Sequence, residues 1–233
     1  MNERQKPAEF DAYSETYADA VNRSIAFSGL GVDFFTRVKA DHLIDVVDAL
    51  RPPAKQAEVL DLGCGVGSYH SLLLGRVGRI EGVDVSAACI ETACQSHPSV
   101  RYSVYDGEHL PHADQSFDVV FAVCVFHHIP LASRATLVAD ARRVLRPGGL
   151  FIIFEHNPLN PLTRRAVDNC EFDKDAILLR RSESETLMKD RGFCDVTSRF
   201  ILTVPATGAF LRNIDRLFSR VSLGAQYYTV GRA

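Results

Sequence analysis

One stretch decides the fold: Val59-Leu60-Asp61-Leu62-Gly63-Cys64-Gly65-Val66-Gly67, residues 59–67 of a 233-residue chain. Its apolar start predicts a strand over residues 58–62. Its glycines, at every second position, let the backbone turn sharply against a ligand with no Cβ in the way. Dinucleotide-binding loops read G-x-G-x-x-G, whereas here the third glycine comes one residue early and Ser68 stands where the last would be. The acid before the glycines suits a positively charged ligand better than a pyrophosphate.

Outward from this stretch, short β-rich runs alternate with helical patterns, which is typical of a parallel sheet with helical crossovers. The further predicted strands are Arg79–Asp84, Val100–Val104, Phe117–Val123, Leu150–Phe154, Val196–Val204 and Gln226–Gly231. The predicted helices are Val32–Leu50, Ser68–Leu74, a helix capped by Ser86 and running to Ser96, Ser133–Leu145, Glu183–Arg191 and Ala209–Arg220. Pro158 and Pro161 are predicted to interrupt regular structure.

These elements predict the α/β class, with a Rossmann-like, seven-stranded, mostly parallel sheet, helices on both faces and an N-terminal helical cap. We expect one domain over residues 1–233. Within it, residues 1–52 form the cap, 53–157 the cofactor-binding core, and 158–233 a substrate-side insertion with the outer edge of the sheet.

Three acids come at the ends of successive predicted strands. Asp61 ends the first, Asp84 ends the second, and Asp106 follows the third, directly before Gly107. Open α/β sheets bind ligands at the carboxyl edge of their strands, where a carboxylate can accept hydrogen bonds from the hydroxyls of a ribose. We therefore expect Asp84 to bind a ribose and Asp106 to accept a hydrogen bond from an adenine amino group. Each acid alone is also an ordinary turn residue, and Asp106-Gly107 can be read as a bare turn.

Five segments occur in one order along the chain: Val59–Gly67, Gly82–Ser86, Asp106–Pro111, Phe117–Ile129 and Arg143–Gly149. Together they resemble the ordered motifs of class I S-adenosylmethionine (SAM)-dependent methyltransferases, most of all the group that includes the ubiquinone and menaquinone C-methyltransferases. A short-chain dehydrogenase is excluded, because the chain has no Tyr-x-x-x-Lys pair.

The resemblance implies a set of residues that bind SAM. Asp61 and the loop with Gly63, Cys64 and Gly65 would hold its methionine end, Asp84 with Val85 its ribose, and Asp106 with Gly107 its adenine. The backbone near Cys124 would accept from the SAM amino group. Tyr13 and Tyr17 are similar to an N-terminal segment that folds over the cofactor, although plain helix packing explains these tyrosines equally well.

The candidate catalytic residues follow the fourth and fifth predicted strands, as the pairs His127-His128 and Glu155-His156. Histidine suits proton transfer near neutral pH, so we expect a general base here if the acceptor must lose a proton. The alternatives are that His128 packs against the adenine or caps a helix, and that His156 fixes a turn. The segment over residues 154–176 is predicted to form a wall of the acceptor pocket, where Arg164 or Arg165 would recognise a carboxylate or phosphate.

The composition narrows the acceptor to a small molecule. A net charge of −3 and a pI of about 6.2 argue against a nucleic-acid surface. No apolar run is long enough to span a membrane and no leader is evident, so we expect a cytoplasmic protein without a membrane partner. The six cysteines form no CxxC pair, and no metal site is expected.

We expect O- or N-methylation of the small molecule, in a biosynthetic pathway, with C-methylation as a third option. The alternatives are a SAM-binding protein without catalysis and an RNA or protein methyltransferase. Whether the protein forms a homodimer is left open.

Overall fold

A seven-stranded sheet forms the centre of the protein, as shown by a computed structural model that describes residues 17–48, 53–203, 215 and 217–233. The strand order is β3-β2-β1-β4-β5-β7-β6. Strands β1 to β5 pair in parallel, and β7 runs antiparallel to both of its neighbours. The strands are β1 Glu58–Leu62, β2 Arg79–Asp84, β3 Arg101–Val104, β4 Phe117–Val123, β5 Leu145–His156, β6 Cys194–Ile201 and β7 Gln226–Arg232. The predicted fold class is confirmed.

Helices cover both faces of this sheet. They are α1 Tyr17–Ile25, α2 Val32–Val47, α3 His70–Leu73, α4 Ala87–Ser96, α5 Leu131–Val144, α6 Pro161–Asp168 and α7 Arg181–Asp190. Alternate strand residues point to opposite faces. Accordingly Val59 packs in the cluster that contains α2 side chains, whereas Leu60 packs in the cluster that contains those of α5 and α7. Burial on both sides explains why the central strands are apolar almost throughout.

Several predicted element boundaries agree with the structure. Strands β1, β2 and β4 have the predicted bounds, and the predicted helix cap is confirmed because the Ser86 hydroxyl accepts from the Cys89 amide at 3.1 Å. The helix after the glycine loop is shorter than predicted, at His70–Leu73, and β5 is longer, at Leu145–His156.

Pro158 lies in a turn after β5, as predicted, but the prediction for Pro161 was wrong, because Pro161 is the first residue of α6. The Asn160 side chain accepts from the amides of Leu162 and Thr163 at 2.9 and 3.1 Å. Asparagine is a favoured N-cap, and proline suits the first helical turn because its missing N–H would have had no partner there.

The predicted helix over Ala209–Arg220 falls largely outside the described residues, as does the end of the predicted Val32–Leu50 helix. Among the helices that are described, none combines the length and the apolar character that crossing a membrane requires.

Candidate active site

A cavity of about 680 Å³ opens at the carboxyl ends of β1, β2 and β4. It lies where parallel α/β sheets bind ligands. Ten of the predicted site residues line it: Asp61, Gly63, Cys64, Gly65, Asp84, Val85, Cys124, His127, His128 and His156. Its other walls come from α1, α2 and α6, and from residues near β7.

The glycine loop is held against the end of β2. The amides of Gly63 and Cys64 both donate to the Val83 carbonyl, at 2.8 and 3.0 Å. Gly63 has a φ of +76°, and a Cβ built on it would lie 2.5 Å from a methyl carbon of Val125. A side chain at position 63 therefore meets both backbone strain and a steric clash.

Replacing Gly63 with alanine is expected to destabilise the protein by about 2 kcal/mol or more, since a left-handed alanine and an overpacked contact each carry a cost. Gly75 is the matched control, because its φ is +79° and nothing lies within 4 Å of its Cβ position. Chemical denaturation should show a smaller loss for Gly75→Ala than for Gly63→Ala. Equal losses would mean that the contact with Val125 has no energetic importance.

Asp84 is a buried carboxylate at the edge of the cavity. One oxygen accepts from the Gly65 amide at 2.8 Å and the other from the Ser86 amide at 2.9 Å. Burial raises its pKa above the ordinary value, and these amide hydrogen bonds oppose the rise. The carboxylate thus ties the glycine loop to the start of α4, and each of its oxygens has a second lone pair for a ligand.

Asp61 lies beneath the same loop and is almost fully buried. Its Oδ2 is 3.0 Å from His70 Nε2, and the other ring nitrogen of His70 contacts the Tyr102 hydroxyl. Burial raises the pKa of Asp61, and the hydrogen bond and charge of His70 oppose that rise. His70 thereby fixes the orientation of the carboxylate that faces the cavity.

Asp106 and Gly107 do not reach the cavity wall. Asp106 is 62% exposed, and its Oδ1 accepts from the amides of Glu108 and His109 at 2.8 and 2.7 Å. These backbone hydrogen bonds lower its pKa. The neighbouring Tyr105 lines the cavity instead, so the adenine role of Asp106 and Gly107 stays a prediction.

The two N-terminal tyrosines cannot be placed at the cavity. Tyr13 lies outside the described residues, and Tyr17 begins α1 but its side chain is not described. Their predicted roles stay predictions.

Cys124 directly follows β4 and has a left-handed backbone conformation, with a φ of +56°. Its amide donates to the Phe154 carbonyl at 2.9 Å, which holds the turn against β5. Its sulfur lies 3.8 Å from both Lys39 Nζ and Gln226 Nε2. Left-handed geometry costs a non-glycine residue energy and is frequent at functional sites, so the turn at Cys124 supports a ligand-binding role for this segment.

His127 and Glu155 form a buried pair at the ends of β4 and β5. His127 Nδ1 lies 2.6 Å from Glu155 Oε2, and Glu155 Oε1 accepts from the Phe126 amide at 2.8 Å. Burial alone would lower the pKa of His127, but the charge of Glu155 and the hydrogen bonds to Asp173 and Glu155 raise it to about 10. His127 therefore keeps its second proton at neutral pH, and Glu155 does not itself line the cavity.

Asp173 is a site residue that the sequence analysis did not single out, although it lies in the predicted pocket wall. Its Oδ1 is 3.3 Å from His128 Nε2 and 3.5 Å from His127 Nε2. Burial opposes ionisation, but hydrogen bonds to the two histidines hold its pKa well below the ordinary value. Burial and the positive charge of His127 lower the pKa of His128. The result is a neutral His128 ring held by a carboxylate.

His156 completes this group. Burial and the charge of His127 lower its pKa to about 4, and its Nδ1 lies 3.3 Å from Gln226 Nε2. A metal ion could bind among His127, His128 and Asp173, whose nitrogen and oxygen atoms lie within 4.8 Å of one another. The sequence analysis expects no metal site, and that expectation stays a prediction.

Residues 60–153 match a family model described as a methyltransferase domain. The chain is 30% identical over 125 residues to the 2-methyl-6-phytyl-1,4-hydroquinone methyltransferase of Synechocystis, covering 47% of this chain and 39% of that protein. It is 32% identical over 168 residues to a phthiotriol/phenolphthiotriol dimycocerosates methyltransferase of Mycobacterium ulcerans, covering 70% of this chain and 60% of that protein. The chain therefore spans well under two thirds of the first of these relatives and somewhat under two thirds of the second.

The fold has close counterparts among solved structures. A SAM-dependent methyltransferase of Thermotoga maritima superposes with a TM-score of 0.67, at 19% identity, over 97% of this chain and 98% of that one. At that identity the likeness shows the fold alone.

Proposed function

We propose that the chain is a class I SAM-dependent methyltransferase that transfers the methyl group of SAM to a small-molecule acceptor bound in the cavity at the carboxyl edge of the sheet. The observation that carries the proposal is that two groups of residues, one suited to the cofactor and one suited to the acceptor, line the same cavity. One group contains the buried carboxylates Asp61 and Asp84 with the glycine loop, and the other contains His128 held by Asp173.

The residues of the first group fit SAM. A sulfonium compound with an ammonium group is cationic, and Asp61 and Asp84 are buried carboxylates that line the cavity. A Cβ built on Gly65 would meet no protein atom within 4 Å, so the loop leaves open space above it. Asp61 with Gly63, Cys64 and Gly65 would hold the methionine end, Asp84 with Val85 the ribose, and the Cys124 carbonyl the amino group.

When bound, SAM supplies an electrophilic methyl group on a positively charged sulfur. The chain then has to hold the acceptor in line with that methyl group, which is the main source of rate in such a displacement. It must also accept a proton from a hydroxyl or amine acceptor. We assign that step to His128, because its ring lines the cavity, burial and the charge of His127 lower its pKa, and its Nε2 lies 3.3 Å from Asp173 Oδ1.

The remaining predicted catalytic residues are assigned positioning roles. Glu155 and Asp173 hold His127 as an imidazolium, and burial together with the charge of His127 lowers the pKa of His128 and of His156. His156 lies in the cavity wall beside Gln226. A protonated His127 cannot serve as a base near neutral pH, so His128 is the proton acceptor that we favour within the group.

Two observations support a small acceptor. The lining of the cavity includes the aromatic side chains of Phe27, Phe34, Phe35 and Phe172, and the Arg165 guanidinium lies over the Phe27 ring, 4.8 Å from its centre. According to their names, the two relatives act on 2-methyl-6-phytyl-1,4-hydroquinone and on phthiotriol or phenolphthiotriol dimycocerosates. We favour methylation of oxygen or nitrogen because a base faces the cavity, with carbon as the third option.

Incubation with methyl-labelled SAM and a cell extract tests the proposal. We expect label in the small-molecule fraction, and none above background in RNA or protein. Label in a macromolecular fraction would instead identify an RNA or protein methyltransferase. Measurable SAM binding with no labelled product from several extracts would identify a SAM-binding protein without catalysis.

A further inference from the structure

Gln226 places a buried amide group in the wall of the cavity. It is the first residue of β7, where it pairs with His156 of β5 on one side and with Ile201 of β6 on the other. The residue is 6% exposed and lines the cavity. Because strands on both sides hold its backbone, the amide lies at a fixed place in the wall.

The amide nitrogen of Gln226 already has two partners. Nε2 lies 3.3 Å from His156 Nδ1 and 3.8 Å from the Cys124 sulfur. An amide nitrogen only donates, so the imidazole nitrogen and the sulfur are the acceptors. His156 can accept because its ring is neutral near pH 7, with a pKa lowered to about 4 by burial and by the charge of His127. These two contacts use both hydrogens of the amide.

The amide oxygen of Gln226 is left without a donor. Oε1 is buried, and none of the described residues donates a hydrogen bond to it. A buried polar atom in this condition is costly and uncommon in folded proteins. Because an amide oxygen only accepts, the group that completes it must carry an O–H or N–H hydrogen. A ligand in the cavity can supply that group.

Gln226 lies between the residues assigned to the cofactor and those assigned to the acceptor. Its contact Cys124 belongs to the first group. Its contact His156 belongs to the second, because the His156 ring centre is 5.1 Å from that of His127, which in turn is 4.1 Å from that of His128. The atom to be methylated has to lie between the cofactor and His128. A hydroxyl that gives its only hydrogen to His128 has none left for Gln226, so the donor to Oε1 has to be a second group.

We propose that Gln226 recognises the acceptor through Oε1, and that the acceptor carries a second O–H or N–H group beside the atom that is methylated, as a vicinal diol, a catechol or an amino alcohol does. This inference rests on the proposed function and narrows its acceptor to compounds with two neighbouring hydrogen-bond donors. It assigns acceptor recognition to β7, which lies outside residues 60–153, the segment that matches the methyltransferase model.

The test uses the acceptor identified by the labelling experiment, together with its analogue in which the second donor group is replaced by hydrogen. The wild type should methylate the acceptor with a kcat/KM at least about tenfold higher than that for the analogue, the scale of one hydrogen bond. Gln226→Met, which keeps the size of the side chain and removes the amide, should lose about tenfold on the acceptor. It should no longer distinguish the acceptor from the analogue, and its calorimetric affinity for SAM should stay within twofold of the wild type.

Gln95→Met is the matched control, because Gln95 is exposed on α4 and does not line the cavity. It should behave as the wild type with both compounds.

Three results would overturn the inference. One is an acceptor that has no O–H or N–H group other than the one at the methylated atom. Another is a Gln226→Met variant that still prefers the acceptor to the analogue as strongly as the wild type does. The third is a loss of SAM affinity in that variant, which would place Gln226 at the cofactor. If the extract yields no labelled product at all, the proposed function itself fails, which separates the two failures.

Discussion

Turnover should fall about 100-fold when His128 is replaced by alanine, while the affinity for SAM stays within twofold of the wild type. The reason is that general-base catalysis contributes on the order of 10²–10⁴ to a rate, and the neutral His128 ring is fixed by Asp173 at 3.3 Å. The measurement is kcat with the acceptor found in the labelling experiment, together with calorimetric titration of SAM.

His109→Ala is the matched control, because that histidine is 65% exposed and does not line the cavity. It should keep the wild-type rate. Full activity of His128→Ala would remove the base from the mechanism and leave positioning of the acceptor as the contribution of the chain. A parallel loss of SAM affinity would indicate that His128 supports the cofactor site instead.

The affinity for SAM should fall by roughly tenfold or more when Asp84 is replaced by alanine, since each charged hydrogen bond is worth about 1.5–3 kcal/mol. The loss has two parts. The ribose hydroxyls lose their acceptor, and the amides of Gly65 and Ser86 lose theirs. Asp84→Asn keeps an oxygen for one of those amides, so it should retain more of the folded stability while still binding SAM weakly.

Asp114→Ala is the control for the removal of an acid, since Asp114 is 72% exposed and outside the cavity. Its SAM affinity should equal that of the wild type. If calorimetry finds unchanged affinity in Asp84→Ala and Asp84→Asn, Asp84 has no role in binding the ribose.

Strands β1, β2 and β4 could be predicted from the sequence, as could the presence of His127, His128 and His156 at the site, whereas helix α6 and Asp173 could not. Strands β1, β2 and β4 are buried, so their apolar runs end where the turns begin. The sequence analysis does not predict helix α6, because a proline such as Pro161 usually interrupts regular structure, although Asn160 before it is a capping signal. An asparagine followed by a proline is itself a signal for the start of a helix, and this signal predicts α6.

Two site residues carried weaker signals. Lys39, which lines the cavity, is a charged residue on the buried side of α2, three positions after the buried Thr36 and four before Leu43, and a charge there departs from the usual amphipathic pattern of a helix. Asp173 had no such signal, because only the folding of the segment after α6 brings it to His127 and His128. The left-handed turn at Cys124 also depends on pairing with β5 and is not visible in the residue type.

The cavity is assembled from stretches of chain inside and outside the segment that matches the methyltransferase model. Its floor comes from the strand ends and loops inside residues 60–153, the part that matches the model, while α1, α2, α6 and the Asp173 segment build the roof from sequence on either side. Under the proposed function, exchanging only the flanking pieces is therefore expected to change the acceptor and to keep the methyl donor. A chimaera with this floor and a relative's roof would be the natural means of changing the compound that is methylated.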